Sequence, residues 1–298
     1  MVKISVIVPA YNEAQSLPLL LESINKFFVK NKVSGETVLV NDGSTDNSRE
    51  VLRNLEKEYK FLRVIHHKKN LGLTEALITC FREAKGEELV FLPSDLESNP
   101  EADIPKLLNE MNKGYDVVCG YRTNRVGFKK FASAVYNWLS RWLFKVETHD
   151  LNWIKAFRRD VVKDMPLRSG WHRYIPLFAK ANGYKIGEVK TLTRTRPYGV
   201  SKFGKGRLLV GLLDLLVVKF HVSFIDRPMT IFGSLGLLFS SLGFLGLLYM
   251  LYIKISTGVI GYRIPFLLLV ILLFVTGVQL FAIGFIAEYL TTIRERLK

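Results

Sequence analysis

Short runs of β-branched and aliphatic residues alternate with helix-like segments in the first part of the chain. The run at residues 4–8 precedes Leu17, Leu20, Leu21 and Ile24, whose spacing is typical of one face of an amphipathic helix. Further strands are predicted at residues 37–40, 63–66, 88–92 and 116–119, and further helices at residues 48–58, 74–84 and 104–112. This alternation predicts an α/β domain, a mostly parallel sheet with helices on both faces.

Two long apolar runs follow near the carboxyl end. No charged residue occurs at positions 229–253, and Gln279 is the only strongly polar side chain at positions 264–287. At about 1.5 Å per residue, about 24 residues reach ~36 Å, which crosses a hydrocarbon core of about 30 Å with some tilt. With the connector at residues 254–263, the pattern predicts a two-helix transmembrane hairpin, and a buried core helix is the alternative.

The pattern divides the chain into three parts. Residues 1–204 form a globular domain, residues 205–228 an amphipathic juxtamembrane segment, and residues 229–298 the hairpin with a short tail. Basic residues flank the hairpin at Arg227, Arg294, Arg296 and Lys298. By the positive-inside rule, the domain and both termini are expected on the cytoplasmic side of the cell membrane. We expect no cleavable signal, because the first apolar run leads directly into a turn.

The charge balance narrows the classes of partner. The chain has 42 Lys and Arg against 27 Asp and Glu, a formal charge of +15, which suits nucleic acid, an anionic membrane or phosphorylated ligands. Nucleic acid is disfavoured, because the basic residues alternate with membrane-type segments and no recognition motif is visible. Cys80 and Cys119 lie in apolar segments and are predicted to be core residues rather than a disulfide.

Turn-forming and polar residues follow three of the predicted strands. Pro-Ala-Tyr-Asn-Glu at residues 9–13 follows the first, Asn-Asp-Gly-Ser at residues 41–44 the second, and Pro-Ser-Asp-Leu-Glu at residues 93–97 the fourth. Ligands of open α/β sheets bind beyond the carboxyl ends of the strands. One such loop is explained equally well as a turn and helix cap, but three at strand ends favour a binding site.

These motifs resemble the family 2 inverting glycosyltransferases of the GT-A fold, and within them the polyprenyl-phosphate branch. The resemblance runs from residues 5–13 through Arg-Pro-Tyr-Gly-Val-Ser-Lys-Phe at residues 196–203 to the hairpin. It implies inverting transfer of one sugar from a nucleotide sugar to a dolichyl or undecaprenyl phosphate. The rival hypothesis is a catalytically weak or inactive GT-A scaffold in a glycan assembly pathway.

The resemblance implies a donor site built from the first loops. The nucleotide-sugar-binding residues implied are Pro9, Tyr11, Glu13, Asn41, Asp42, Asp95, Arg196 and Lys202. Asn41 stands where many relatives have an acid, and a neutral amide pairs more naturally with uracil than with guanine. This slightly favours a UDP-sugar over a GDP-sugar.

The acidic loop departs from the family's usual Asp-x-Asp-x-Gln, because Pro93 replaces the first acid and Glu97 the amide. Asp95 and Glu97 are two residues apart, so on an extended segment they point to the same side. We expect them to bind Mg²⁺ or Mn²⁺, which prefer oxygen ligands, and we expect Asp95 to be catalytic. A weakened or metal-independent site is the alternative.

The acceptor side is expected near the membrane. Aromatic residues at helical spacing predict an interfacial helix near residues 127–145, with a core-packing helix as the alternative. The resemblance assigns the lipid phosphate to Arg122, Lys129, Ser133, Arg196 and Ser201. Asp150 is expected to orient the nucleophile or accept a proton, whereas His172 is interpreted as structural or phosphate-contacting rather than as a general base.

Small residues recur along one face of each predicted span. They are Gly236, Ser240 and Gly243 on the first span and Gly277 and Gly284 on the second. Because small residues allow close helix approach in lipid, they suggest a homo-oligomer contact through the transmembrane helices. Packing within a single hairpin is the alternative.

Overall fold

The computed structural model describes residues 2–123, 139–140, 143–144, 146, 148–163, 165, 167–198, 207–224 and 227–296. The chain separates into two compact units, Met1–Leu215 and Leu216–Lys298. The first contains the sheet, and the second contains the two long apolar helices. Each unit is described by itself.

A seven-stranded sheet forms the centre of the first unit, in the order β3-β2-β1-β4-β6-β5-β7. The strands are β1 (Ile4–Ala10), β2 (Gly35–Asn41), β3 (Leu62–His66), β4 (Glu88–Phe91), β5 (Val117–Arg122), β6 (Lys155–Arg158) and β7 (Ile186–Thr191). Only β6 runs antiparallel to its neighbours, β4 and β5. The prediction of a mostly parallel α/β sheet is confirmed.

Helices cover both faces of this sheet. They are α1 (Leu17–Asn31), α2 (Ser48–Glu58), α3 (Leu73–Glu83), α4 (Pro100–Met111), α5 (Arg159–Lys163) and α6 (Ile175–Ala181), with a 3₁₀ turn at Trp171–Tyr174. Alternate residues of a strand point to opposite faces, so Val6 packs in the core under α1, α2 and α4, whereas Ile7 packs in the core under α3, α5 and α6. Because β1 is buried on both faces, its sequence is apolar almost throughout.

Two strands have no counterpart in the sequence prediction. The first, β6, is four residues long and begins with Lys155, whose side chain is 1% exposed. The second, β7, alternates weakly between buried and partly exposed positions. Of the predicted interfacial helix, residues 139–140 and 143–144 are helical, and most of the remainder lies outside the described residues.

The second unit contains the helical hairpin. Its long helices are α8 (Met229–Thr257) and α9 (Ile264–Arg296), which are four and nine residues longer than the predicted spans and are joined by a 3₁₀ turn at Gly261–Arg263. The most apolar 18-residue stretches of these helices have mean hydropathies of 2.0 and 2.8, and their largely exposed side chains suit a lipid environment rather than a protein core. The helix before the hairpin, α7 (Arg207–Phe224), exposes Leu213, Leu216, Val217 and Phe220 along one side.

The small residues of the hairpin lie at the seam between its two helices. A Cβ atom on Gly277 would lie 2.3 Å from the Ser240 nitrogen, and one on Gly236 would lie 2.7 Å from the Phe281 nitrogen. At the open end, Glu288 Oε2 accepts a hydrogen bond of 3.1 Å from the backbone N–H of the first residue of α8. The seam within one hairpin therefore accounts for these residues, and they no longer motivate an oligomer contact.

Candidate active site

The loops after β1 and β2 are joined by direct hydrogen bonds. Asn12 accepts a bond of 2.8 Å from the Thr45 N–H with its side-chain oxygen, and its own N–H donates to Ser44 Oγ at 2.9 Å. The N–H of Glu13 donates to Ser48 Oγ at 3.2 Å. Asn12 has a φ of +55°, a left-handed conformation that Asn tolerates better than most residues. The two predicted donor loops thus form one surface.

Asp46 strengthens this junction. Its carboxylate accepts bonds from the Ser48 N–H at 3.0 Å and the Ala14 N–H at 3.2 Å. Burial pushes the pKa of Asp46 upward, but the hydrogen bonds from Ser48 and Ala14 prevail and hold the pKa below its usual value. Asp46 is therefore ionised at neutral pH and fixed between the loops.

Asn41, at the end of β2, is buried and closes the turn that follows. Its Oδ1 accepts from the Ser44 N–H at 3.1 Å, and its Nδ2 lies 3.2 Å from His66 Nδ1. Gly43 has a φ of +65°, and a Cβ atom there would lie 2.2 Å from the Lys69 backbone. Only glycine fits this close approach.

Asp42 is also buried, and both of its carboxylate oxygens accept backbone N–H groups. The N–H of Leu71 lies 3.0 Å from Oδ1, and that of Gly72 lies 2.8 Å from Oδ2. Oδ1 also lies 2.7 Å from His67 Nδ1. Asp42 therefore fixes the segment that leads into α3.

The other residues of the first predicted loop lie at the same edge of the sheet. Pro9 is buried within β1, and Tyr11 and Glu13 are partly exposed just beyond it. The Glu13 carboxylate accepts a bond of 3.1 Å from Ser16 Oγ. The partly exposed ring of Tyr11 lies on the surface that the joined loops form.

The two carboxylates predicted to bind metal contact the same guanidinium. Arg196 Nη2 is hydrogen-bonded to Asp95 Oδ2, and Arg196 Nε lies 3.6 Å from Glu97 Oε1. The backbone N–H of Arg194 donates to the Glu97 carbonyl at 2.8 Å, which fixes the strand-to-loop segment beside the acidic loop. Sequence reasoning had assigned Arg196 to phosphate groups and had not paired it with these acids.

Asp95 and Glu97 lie on the same side of the loop, but not because the segment is extended, as the sequence suggested. Leu96 between them has a φ of +60°, so the segment is sharply turned and not extended. The turn is closed by the Glu97 N–H, which donates to Asp95 Oδ1 at 3.1 Å. The prediction that both carboxylates share one side is confirmed, but its geometric argument was wrong.

Asp95 and Glu97 suit a divalent cation only when substrate phosphates and water supply its remaining oxygen ligands. Within the described residues, no group of three His, Cys, Asp or Glu side chains is placed to hold a metal ion. Mg²⁺ is commonly bound by one or two carboxylates plus substrate phosphates and water, which matches a pair such as Asp95 and Glu97. The guanidinium between them demonstrates that this pair accommodates a cation.

On the other side of β4, Arg122 and Asp150 form a buried bidentate ion pair. Arg122 Nε donates to Asp150 Oδ2 at 2.6 Å, and Arg122 Nη2 donates to Asp150 Oδ1 at 2.9 Å and to the Asn152 carbonyl at 3.2 Å. The guanidinium also lies 4.4 Å from the ring centroid of Trp153. Both charged side chains are at most 7% exposed, so this guanidinium is rigidly held.

Comparison with known proteins places this geometry in a family. Residues 5–164 match the model of glycosyl transferase family 2. The chain belongs to this family. It is 32% identical over 300 residues to the dodecaprenyl-phosphate galacturonate synthase of Rhizobium johnstonii, an alignment that covers 96% of this chain and 87% of that relative. It is 30% identical over 295 residues to the undecaprenyl-phosphate 4-deoxy-4-formamido-L-arabinose transferase of Proteus mirabilis, covering 97% of this chain and 88% of that relative.

Solved structures confirm the GT-A fold of this family 2 glycosyltransferase. Glucosyl-3-phosphoglycerate synthase from Mycobacterium tuberculosis, crystallised with Mn²⁺, UDP and glucosyl-3-phosphoglycerate, superposes with a TM-score of 0.58 at 20% identity over 73% of this chain and 79% of that one. The same enzyme with Mg²⁺ and UDP gives a TM-score of 0.56 at 21% identity over 72% and 79%. At this identity the likeness establishes the fold alone.

Lys155 is a buried cation of the glycosyltransferase, with a side chain that is 1% exposed. It lies opposite Phe91 in the sheet and begins β6. Its Nζ donates to the Trp153 carbonyl at 2.9 Å and lies 5.7 Å from the Phe91 ring centroid. Burial lowers the pKa of Lys155 from 10.5 to about 8, and the nearby Asp150 carboxylate only partly opposes this effect.

The remaining predicted site residues divide into two groups. His172 is buried, and its Nδ1 lies 3.1 Å from Thr74 Oγ1, which itself accepts from the Gly170 N–H at 3.0 Å. This supports the structural interpretation of His172. The other predicted residues, Lys129, Ser133, Ser201 and Lys202, lie outside the described residues.

Proposed function

We propose that this glycosyltransferase transfers a single sugar, with inversion, from a nucleotide sugar to a polyprenyl phosphate. The observation that carries the proposal is the extent of the match to two relatives named for polyprenyl-phosphate substrates. It covers 96% and 97% of this chain, so it includes the apolar helices as well as the sheet domain. A lipid acceptor explains why one chain combines a sugar-transfer domain with helices suited to a membrane.

The donor is proposed to be a UDP-sugar bound by the loops after β1 and β2. Pro9, Tyr11 and Glu13 would contribute from the first loop, with Tyr11 offering a ring for base stacking. Guanine presents two adjacent donors that suit a carboxylate with both oxygens available, but each oxygen of Asp42 already accepts a backbone N–H. Asn41 beside it is buried and neutral, so the end of β2 adds no second carboxylate that could pair with the two donors of guanine. This environment favours uracil.

The donor diphosphate is proposed to bind beside Asp95 and Glu97, with Arg196 and Lys202 as its basic ligands. When bound there, Mg²⁺ or Mn²⁺ would offset the negative charge that develops on the departing diphosphate. Asp95 and Glu97 would hold that cation, and Asp95 is the catalytic residue we propose at this position. Arg196 lies close enough to reach the same phosphate groups.

The acceptor phosphate is proposed to bind at the Arg122 side, together with Lys129, Ser133 and Ser201, and with Arg196 approaching from the donor side. A polyprenyl phosphate is already an anion at neutral pH, so its attack on the anomeric carbon needs little proton abstraction. Asp150 is engaged by two Arg122 donors at 2.6 and 2.9 Å, so both of its carboxylate oxygens are already occupied. We assign it the role of orienting Arg122.

The glycosyltransferase domain is proposed to face the cytoplasm. Arg227 precedes α8, and Arg294 and Arg296 end α9, so the termini of the hairpin share a basic side. The exposed apolar stripe of α7 would lie in the headgroup layer on that side. Accessibility of a cysteine introduced near Arg296, probed in sealed spheroplasts, tests this orientation.

The transfer reaction is tested with the purified full chain in nanodiscs that contain undecaprenyl phosphate. Radiolabelled UDP- and GDP-sugars, including galacturonate and 4-deoxy-4-formamido-L-arabinose donors, are supplied with Mg²⁺ or Mn²⁺, and lipid-linked label is measured. One UDP-sugar should give product, EDTA should abolish it, and Asp95→Asn should reduce it at least about 100-fold. Glu58→Gln, an exposed carboxylate on α2, is the matched control.

Two outcomes would contradict the proposal. Nucleotide binding without transfer from any donor would favour the scaffold hypothesis. Transfer that persists in EDTA and in Asp95→Asn would retain the reaction but refute the metal role.

A further inference from the structure

Arg196 is placed as an internal counter-ion of the acidic loop. Its guanidinium contacts Asp95 and Glu97 from a segment that lies 101 positions away from Asp95 in sequence. The side chains of Arg196, Asp95 and Glu97 are 17%, 14% and 29% exposed, so the three charges are mostly shielded from water. The contact therefore differs from an ordinary surface ion pair.

The acidic loop is shaped to present both carboxylates to one cation. Leu96 adopts a φ of +60°, a left-handed conformation that is unfavourable for a non-glycine residue. The Glu97 N–H bond to Asp95 and the Arg194 N–H bond to the Glu97 carbonyl hold this turn in place. Two carboxylates held this close repel each other unless a cation lies between them.

A guanidinium and a divalent metal need the same carboxylate oxygens. Arg196 bonds directly to Asp95 Oδ2, and its fork spans the gap to Glu97. A metal ion that binds both acids must remove these contacts, because the two cations would also repel each other. The two occupants are therefore mutually exclusive.

We propose that Arg196 competes with the divalent metal for Asp95 and Glu97, and that the nucleotide diphosphate resolves this competition. Metal alone must displace Arg196 without compensation and binds weakly. Metal that arrives with the diphosphate gains phosphate ligands, and the displaced guanidinium gains a phosphate partner. Metal and nucleotide consequently bind cooperatively, and Arg196 is the source of the coupling. This inference rests on the metal role in the proposed function.

The test measures Mn²⁺ binding by electron paramagnetic resonance, using the full chain in nanodiscs. Arg196→Gln should bind Mn²⁺ alone about tenfold more tightly than wild type. In the presence of Mn²⁺ it should bind UDP about tenfold more weakly, because the diphosphate loses its guanidinium. These two effects have opposite signs, which a loss of folding or a general loss of the site does not produce.

Two matched variants distinguish the effect of the position of Arg196 from the effect of its charge. Arg194→Gln removes an equal charge two residues away, where the side chain is exposed, and should change neither affinity by more than about twofold. Arg196→Lys keeps the charge but loses the fork, so its Mn²⁺ affinity should lie between those of wild type and Arg196→Gln.

Each other result overturns a defined claim. If Arg196→Gln binds Mn²⁺ alone no more tightly than wild type, the competition is refuted while the metal role stands. If neither protein binds Mn²⁺, even with UDP, the metal role in the proposed function fails and this inference fails with it.

Discussion

Replacement of Lys155 by Met tests how much an ammonium group buried in the sheet lowers the free energy of unfolding of this protein. Lys155 is 1% exposed, and its Nζ donates to the Trp153 carbonyl at 2.9 Å and lies 5.7 Å from the centroid of the Phe91 ring. Met has a similar length and no charge. The substitution therefore removes the charge while it largely keeps the packing.

The size of the effect follows from the pKa. Burial lowers the pKa of Lys155 from 10.5 to about 8, a difference of about 2.5, which corresponds to about 3 kcal/mol. Because the folded pKa lies below the unfolded one, the unfolded chain binds more protons between about pH 8 and pH 10.5. The free energy of unfolding contributed by this group therefore rises with pH across that window, and the full cost applies below it.

The assay is unfolding of the full chain in nanodiscs, followed by tryptophan fluorescence from pH 7 to pH 9.5. Lys155→Met loses one hydrogen bond, worth about 1 kcal/mol at every pH, and gains about 3 kcal/mol at pH 7 by removing the buried charge. Its advantage over wild type should shrink by about 2 kcal/mol between pH 7 and pH 9.5. The exposed Lys180→Met should show no such trend.

A difference between wild type and Lys155→Met that stays constant with pH would refute this reasoning. The buried cysteines do not confound the comparison. Burial raises the pKa of Cys80 and raises that of Cys119 to about 12, so both thiols remain neutral in the folded state over the tested range. Their ionisation in the unfolded state is common to both proteins.

Three further predictions concern the ion pair and the hairpin. Asp150→Ala should lower the free energy of unfolding by about 3–5 kcal/mol, because Arg122 stays buried without its counter-charge. The double variant Arg122→Met with Asp150→Leu should regain most of this stability in a denaturation experiment, but it should not transfer sugar. Recovery of transfer would contradict the role of Arg122. Gly277→Leu should lower the melting temperature of the hairpin, because its side chain would meet the opposing backbone, whereas the exposed Val278→Leu should not. Equal melting temperatures would contradict the seam. Glu288→Ala should cost about 1 kcal/mol through loss of the bond to the first N–H of α8, and an unchanged unfolding midpoint would contradict this.

The periodicity of apolar residues was sufficient to predict the regular alternation of strands and helices in the first part of the fold. Strands β1 to β5 and helices α1 to α4 lie where the alternation of apolar runs placed them, because each buries one continuous face. The same rule failed for β6, since four residues that begin with a charged Lys155 carry too little pattern. The tertiary environment buries that lysine, and no pattern in the neighbouring sequence predicts its burial.

For the candidate site, the sequence predicted residues but not their side-chain partners. It predicted Asp95 and Glu97 as a metal-binding pair, Arg122 as a ligand of the lipid phosphate, and Asp150 as a group that orients the nucleophile or accepts a proton. It did not predict that Arg196 joins the first pair or that the second is a bidentate salt bridge. Side-chain pairing between residues 28 and 101 positions apart depends on how strands are ordered in the sheet, which spacing along the chain does not encode.

The altered acidic motif keeps the number of negative charges that the family pattern carries in this loop. Relative to the family pattern, Pro93 removes one carboxylate and Glu97 adds one, so the loop still carries two negative charges. Both added and retained acids contact the Arg196 guanidinium, which places Glu97 in the same cation environment as Asp95. Since a divalent cation is held by the number and position of its oxygen ligands, a carboxylate at position 97 instead of position 93 can serve the same electrostatic purpose. The departure in sequence is therefore compatible with a retained metal site.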